Sequence, residues 1–330
     1  MKKIKYLIII FFFHYFTANA NDDFDQWLKA FSNKAIKNGI SKKTVDNVLY
    51  KAKFLPNVIK YDRYQPEFYE DTNTYITKRV NKKKIINGQK IYKKNIKLIN
   101  KVENEFSVEK ELLLALMGIE TNYGNYLGKM DIISSLATLS FDKRRSEFFS
   151  NELLIVLELI DNKLIDHEIL YGSWAGAYGN FQFMPSTIKR YAIDYDQNSS
   201  IDLKSSNDSF ASAANYINKI GWKKNFPCFK KIELKDNIPL KFLNTSAKKI
   251  KHKKKYKYYK KFIKNIDKLA IDDSYKVAIV TPDKDIIKDA NNLSPAYIVF
   301  DNYELILKWN RSLRFALAVC TLKNNFENEL

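Results

Sequence analysis

The chain has few of the residues on which metal and serine hydrolases depend. It carries three histidines in 330 residues, and His14 sits in an N-terminal apolar run, which leaves His167 and His252. No His/Cys group has metal-ligand spacing, which argues against a zinc centre or a serine–histidine relay. Only two cysteines are present, Cys228 and Cys320. They can pair in an oxidising compartment or lie apart as buried thiols, and spacing alone leaves both open. After Phe16 no run is apolar for long enough to span a bilayer, which takes roughly 20 residues. Internal repeats are absent. Glycine is scarce as well: there are nine, and six of them fall between Gly118 and Gly179. Glycines gathered in this way point to tight turns and close backbone approach, so that region is where chemistry is expected.

The N-terminus reads as a targeting segment. Lys2, Lys3 and Lys5 precede an apolar run from Tyr6 to Phe16, and Ala18-Asn19-Ala20 fits a small-x-small cleavage site. This predicts a cleavable signal peptide over 1–20 and a periplasmic chain, soluble without a membrane anchor; a retained N-terminal anchor is the alternative. The net charge is +19. Removing the three leader lysines and the nine between Lys248 and Lys261 leaves +7. The basic character is therefore concentrated. Export argues against nucleic acid as the partner. An anionic wall polymer fits better, and a solvated lysine-rich face is the plainer reading.

Helical periodicity runs from Phe24 to about Asn225, with Gly39 and Pro56 as breaks. From Pro227 the pattern changes: Lys231–Leu243, Tyr275–Thr281 and Pro295–Val299 read as short strands. Helical spacing returns from Asp301 to Leu322. The fold class is α+β. Behind the signal peptide the expected parts are an N-terminal helical region (21–105), a core (106–226), a small β-rich insertion (227–300) and a C-terminal helix returning to the core (301–330).

One helix carries a candidate acid. Ser107 is the expected N-cap, with Glu109 and Glu111 in the first turn. Leu113, Met117 and Glu120 follow at spacings of four and three, so they share a face. Thr121-Asn122-Tyr123-Gly124 then breaks the helix. A carboxyl beside apolar side chains resists ionisation, so the pKa of Glu120 is expected to rise, as suits a general acid. A second segment, Gly172-Ser173-Trp174-Ala175-Gly176-Ala177-Tyr178-Gly179-Asn180-Phe181-Gln182-Phe183-Met184-Pro185-Ser186, alternates small residues with aromatics and amides. It can wrap along a ligand and offer hydrogen bonds to hydroxyls and acetamides. It also reads as a structural turn before a helix start at Pro185.

These segments, with Ile133–Leu139, Asn215-Tyr216, Gly221-Trp222, Asn310 and Ser312, resemble the lytic murein transglycosylase B family (glycoside hydrolase family 103) over about Phe24 to Leu322. The resemblance implies a lysozyme-like helical core with a small β domain. It implies that Glu120 is the acid/base that cleaves peptidoglycan glycan strands with formation of a 1,6-anhydro ring. Ser173 and Asn310 would hold the substrate's acetamide and Gln182 would line the groove. Tyr123 and Tyr178 are further expected contacts. Trp309 stands where the family commonly has Tyr; it can stack on sugar but has no hydroxyl. Arg144 and Arg145 match arginines that meet the acidic stem peptide, or form an exposed basic pair. No cofactor is implied for catalysis, and protein partners would be those of wall remodelling.

Asp194-Tyr195-Asp196-Gln197-Asn198-Ser199-Ser200 places oxygen ligands at positions one, three and five of a loop, as at the start of an EF-hand, with a backbone carbonyl expected near position seven and Ser199 in place of the usual Gly. Asp208 comes later than the standard closing acid. Alone this reads as an Asx-rich turn. The resemblance implies a structural calcium on Asp194, Asp196, Asn198, Ser200 and Asp208. A hydrolytic muramidase and a non-catalytic peptidoglycan-binding protein remain as rival readings.

Overall fold

The apolar residues at helical spacing fold into helices along most of the chain. The computed structural model describes residues 22–65, 69–284 and 286–330, and the expected signal peptide lies outside them. In chain order the helices are α1 (residues 22–37), α2 (Lys42–Asn47), α3 (Pro56–Arg63), α4 (Thr72–Arg79), α5 (Lys82–Lys94), α6 (Ile96–Phe106) and α7 (Lys110–Thr121). They continue with α8 (Ile132–Phe141), α9 (Ser146–Asp161), α10 (Pro185–Tyr191), α11 (Ser206–Lys219), α12 (Tyr256–Tyr259), α13 (Asp301–Trp309) and α14 (Leu313–Glu327). Among the described residues no helix is long and apolar enough to cross a membrane.

The chain divides into two units, one formed by residues up to Arg63 with Leu127–Asp208, the other by Tyr64–Tyr126 with Ser209–Leu330. In the first unit α8 packs along α9, and α3 and α10 join them. Helix α8 is capped by Asp131, whose carboxylate accepts from Ser134 N at 2.6 Å. Two short strands, β1 (Met130–Asp131) and β2 (Tyr171–Gly172), pair antiparallel there. The start of α10 is held by the buried Glu152, which accepts from Ser186 N at 2.8 Å and Ser186 Oγ at 2.7 Å. A carboxylate at a helix N-terminus is favoured by the positive end of the dipole.

In the second unit α7 is buried from Leu112 to Gly118, as a helix apolar all round must be. It packs against α14, α5 and α6. Gly118 is what lets the α7 turn sit this close: a Cβ there would lie 2.6 Å from the Tyr123 hydroxyl oxygen. Helix α14 is tied back by a disulfide between Cys228 and Cys320, with Cα atoms 6.1 Å apart. The β segment adds β3 (Phe229–Ile232), β4 (Leu243–Asn244), β5 (Lys254–Lys255), β6 (Lys276–Val280) and β7 (Ala296–Val299). The sheet order is β3-β7-β6-β4, with β5 also on β6; β4 runs parallel to β6 and the other pairs are antiparallel. Val277, Ile279, Ala296 and Ile298 alternate along β6 and β7 into a cluster with Ile232, Phe242, Tyr256, Tyr259 and Phe262, the period-two pattern of a strand face.

Two local expectations are corrected. Ser107 does not cap α7. It closes α6 in the left-handed conformation, φ 53°, and Glu109 takes the cap position. The run Lys231–Leu243 is not a continuous strand. It leaves the sheet after Ile232 and turns at Asp236-Asn237; Pro239, with no N–H to donate, then precedes a short 3-10 turn at Leu240–Phe242.

Candidate active site

The site is built from the C-terminal end of α7. Three successive residues, Asn122 (φ 49°), Tyr123 (φ 61°) and Gly124 (φ 81°), are left-handed. Asn122 N returns to Gly118 O at 3.2 Å and Tyr123 N to Met117 O at 3.3 Å, closing the helix. Non-glycine residues in this region cost energy and gather at functional sites. The abrupt stop leaves Glu120 half-buried at the rim of the helix, above the buried Leu113 and Met117.

Glu120 Oε1 accepts from the indole Nε1 of Trp309 at 2.8 Å. Trp309 ends α13 and stacks on Tyr216, with ring centroids 5.0 Å apart and planes 19° from parallel. The indole is thus oriented by packing and presents its one donor to the carboxylate. Asn310 follows as the cap of α13, with its N–H bonded to Ile306 O.

Glu120 also lines an open pocket of about 310 Å³ with Lys78, Asn81, Lys83, Lys84, Ile119, Asn122 and Tyr126. It is the one acid among these lining residues. Lys84 Nζ donates to Gly118 O at 2.6 Å, placing a cation at the negative end of α7. Burial, and then the charge of Arg79, hold the Lys84 ammonium below its ordinary pKa. Sequence reasoning missed this wall. One signal was there: α5 opens with Lys82-Lys83-Lys84 and no acid in its first turn, cations at the end of a helix that disfavours them.

Tyr123 is part of the core of the second unit. Its hydroxyl lies against Gly88 of α5 and Gly118 of α7, and it has no hydrogen-bond partner among the described residues. Burial pushes its phenol well above the usual range.

The other candidates belong to the first unit. Ser173 Oγ accepts from Ala175 N at 3.3 Å and Ala177 N at 3.0 Å, folding the Gly-rich segment over its own hydroxyl. Gln182 is left-handed, φ 49°. Its Nε2 donates to Gly179 O at 2.9 Å and Leu127 O at 3.3 Å, which leaves Oε1 as the acceptor not used by these bonds. Gly128 (φ +84°) admits this arrangement, since a Cβ would lie 2.0 Å from Gly172 O. Tyr178 is buried and donates its hydroxyl to Asp202 at 2.9 Å; burial and the Asp202 charge push its phenol well up. Arg144 and Arg145 clamp the buried Asp62: Arg144 Nε donates at 2.7 Å, and Arg145 Nη2 meets the other oxygen. They therefore form neither a bare basic pair nor a free anion clamp.

The acidic loop closes on itself. Asn198 N and Ser199 N donate to Asp194 at 3.0 and 2.8 Å, and Ser200 N donates to Asn198 Oδ1 at 3.0 Å. Asp208, wholly buried, accepts from Tyr195 N and Asp202 N at 2.8 and 2.9 Å. Carboxylate oxygens of Asp194, Asp196 and Asp208 lie within 4.8 Å of one another. Burial above all, and the charges of Asp196 and Asp194, push the Asp208 carboxyl up against those two N–H donors, which hold it down.

Known proteins resemble this chain along its length. The family model described as Transglycosylase SLT domain matches residues 23–324. The membrane-bound lytic murein transglycosylase B of Escherichia coli (strain K12) is 32% identical over 198 residues, 57% of this chain and 55% of its own. The chain thus spans about half the length of that relative. SltB3 from Pseudomonas aeruginosa in complex with NAG-NAM-pentapeptide has a TM-score of 0.81 at 28% identity, over 92% of this chain and 79% of that one. The Escherichia coli lytic transglycosylase Slt35 in complex with calcium has a TM-score of 0.74 at 24% identity, over 94% of each chain, a likeness of fold.

Proposed function

The chain belongs to the Transglycosylase SLT domain family, and from that premise we propose that it is an exported lytic transglycosylase of peptidoglycan. It cleaves the β-1,4 bond between N-acetylmuramic acid and N-acetylglucosamine with Glu120 as its single acid/base. The observation that carries this reading is the setting of Glu120. It is the one carboxyl among the residues that line its pocket, fixed by an indole donor at 2.8 Å.

Most glycosidases need two carboxyl groups. Three other acids of this unit are committed elsewhere. Glu109 accepts from Trp222 and Asn225, Glu70 pairs with Lys78 and Arg79, and Asp283 pairs with Arg314. One carboxyl suffices if the substrate brings its own nucleophile. Glu120 first donates its proton to the glycosidic oxygen. It then takes the proton of the muramoyl C6 hydroxyl as that oxygen attacks C1 and closes the 1,6-anhydro ring. Water is not consumed.

In the first unit Ser173 and Gln182, and in the second Asn310 and Trp309, are proposed as substrate-binding residues, Ser173 and Asn310 toward acetamide groups. Tyr123 and Tyr178, being buried, would shape the walls and not touch the glycan. Arg144 and Arg145 would meet a stem peptide only through the edges that Asp62 leaves exposed.

A structural calcium is proposed for the acidic loop. Three carboxylates gathered within 4.8 Å repel one another unless a proton or a cation neutralises them. An all-oxygen donor set suits a hard cation. Asp194, Asp196, Asn198, Ser200 and Asp208 would hold it, and it would brace the loop.

The test is mass spectrometry of purified peptidoglycan digested by the wild type and by Glu120→Gln. Anhydromuropeptides from the wild type, absent with the variant, are expected. Reducing-end products would make the enzyme a muramidase. Wall binding without soluble products would make it a binding protein.

A further inference from the structure

The proposed reaction leaves the basic β segment unexplained. Between residues 227 and 300 the chain has 18 lysines and eight acids. Of the nine lysines between Lys248 and Lys261, Lys253 pairs with Asp301 and Glu304, and Lys260 with Asp273. The other seven are exposed and have no carboxylate within ion-pair distance among the described residues. A solvated face would explain charge by itself. It does not explain what lies among the charges.

Leu240 stands 61% exposed at the tip of the 3-10 turn Leu240–Phe242. Beside it Lys241 Nζ lies 5.6 Å from the Phe242 ring centroid. Phe242 meets the ring of Tyr258 edge-on, with centroids 5.7 Å apart. Tyr258 is itself 37% exposed. Lys254 and Lys261, from either side of it in sequence, bring their ammonium groups to 5.0 and 5.1 Å from its centroid. Two cations thus flank the exposed Tyr258, and a third, on the neighbouring Phe242 ring, follows the exposed Leu240 in sequence. The rings beneath belong to the core of the β segment, so the patch has a rigid floor.

We propose that this patch docks the protein on an anionic lipid surface. Leu240 would enter the headgroup boundary, Tyr258 would sit at headgroup level, and Lys241, Lys254 and Lys261 would meet lipid phosphates. Charge complementarity calls for a polyanion, and the other features choose among polyanions. A nucleic acid or a glycan is held on aromatic faces by stacking, but the Tyr258 ring is already engaged by two ammonium groups. Neither polymer gains from a protruding leucine. A bilayer interface gains from both an apolar side chain and flanking lysines, and a tyrosine with one apolar and one wet end suits that boundary. The patch lies in none of the residues assigned to the glycan reaction, so the docking can stand or fall separately.

The experiment is sedimentation of the full chain with vesicles of phosphatidylglycerol mixed into phosphatidylcholine and with vesicles of phosphatidylcholine alone. The neutral vesicles read any contribution of the N-terminal apolar run. Binding that is much tighter to the anionic vesicles, and weakened by salt, is expected. In Lys241→Gln/Lys254→Gln/Lys261→Gln, that difference should fall about a hundredfold, at about fivefold per lysine. Leu240→Gln should weaken binding several-fold with little change in salt dependence. Glycan release by both variants should match the wild type, which also certifies their fold. Equal affinity of wild type and triple variant for the anionic vesicles would overturn the proposal. So would tighter binding to a single-stranded oligonucleotide or to purified sacculi that the triple variant loses.

Discussion

The two ends of α7 each carry a glutamate bonded to a tryptophan, and they differ in nearly everything else. At the N-terminal end Glu109 is 4% exposed. It takes Trp222 Nε1 at 2.5 Å on one oxygen and Asn225 N at 2.8 Å on the other, with Lys323 at 3.7 Å. Its charge faces the positive end of the helix. At the other end Glu120 takes Trp309 Nε1 at 2.8 Å, faces the negative end, and opens on a pocket lined by lysines. The first glutamate is satisfied by the protein. The second is held in place and left accessible. An indole partner does not mark an active carboxyl; a place in the lining of a pocket does.

The comparison is broken most severely by exchanging roles for losses. Glu120→Gln should lower turnover by about 10²–10⁴-fold or more, the range for a positioned acid/base, while the melting temperature stays close to that of the wild type. Glu109→Ala should do the reverse. It strands the buried Trp222 indole N–H and leaves Lys323 with Glu327 as its ion-pair partner, at a cost of about 1–3 kcal/mol, read by urea unfolding, with activity per folded molecule preserved. If Glu109→Ala removed activity without unfolding, the division between the two ends would be wrong.

The tryptophans sharpen it further. Trp309→Phe keeps a ring on Tyr216 and removes the donor to Glu120. A hydrogen bond to a charged group is worth about 1.5–3 kcal/mol, so turnover should fall about 10- to 100-fold with stability little changed. Trp222→Phe should instead lower stability by a similar energy and spare turnover. Unaltered turnover in Trp309→Phe would show that the indole does not orient the carboxyl.

What could be read in advance follows the range of the interactions. Glu120 was legible because Leu113 and Met117 share its face and the break after it is local. The strands β6 and β7 were legible because apolar residues alternate with the pleat. Ser107 misled because it sits between two helices, and the sequence there does not say which of them it serves. The indole at Glu120 comes from 189 residues away and Lys84 reaches Gly118 across 34. Such pairs are set by helix packing, which no spacing encodes. Cys228 and Cys320, 92 residues apart, were undecided for the same reason. Asp62 beneath Arg144 and Arg145 was invisible too, and it changes what two arginines can do.

The smallest expected effect concerns the acidic loop, where three carboxylates crowd together. A ligand that binds only the folded chain stabilises it by RT ln(1 + [L]/Kd), about 1.4 kcal/mol at ten times Kd. For a chain of this size that is a rise of a few degrees in melting temperature. Asp196 is the informative position, because it is exposed and bonded only weakly, to Asn207 Nδ2 at 3.4 Å. Asp208 cannot serve, since its substitution would also strand the N–H groups of Tyr195 and Asp202. Asp196→Asn removes one charge from the cluster, so in chelator the variant should melt at or slightly above the wild type. Added calcium should then raise the wild type and leave the variant nearly unmoved. A wild type that does not respond to millimolar calcium would return the loop to a self-bonded Asx turn.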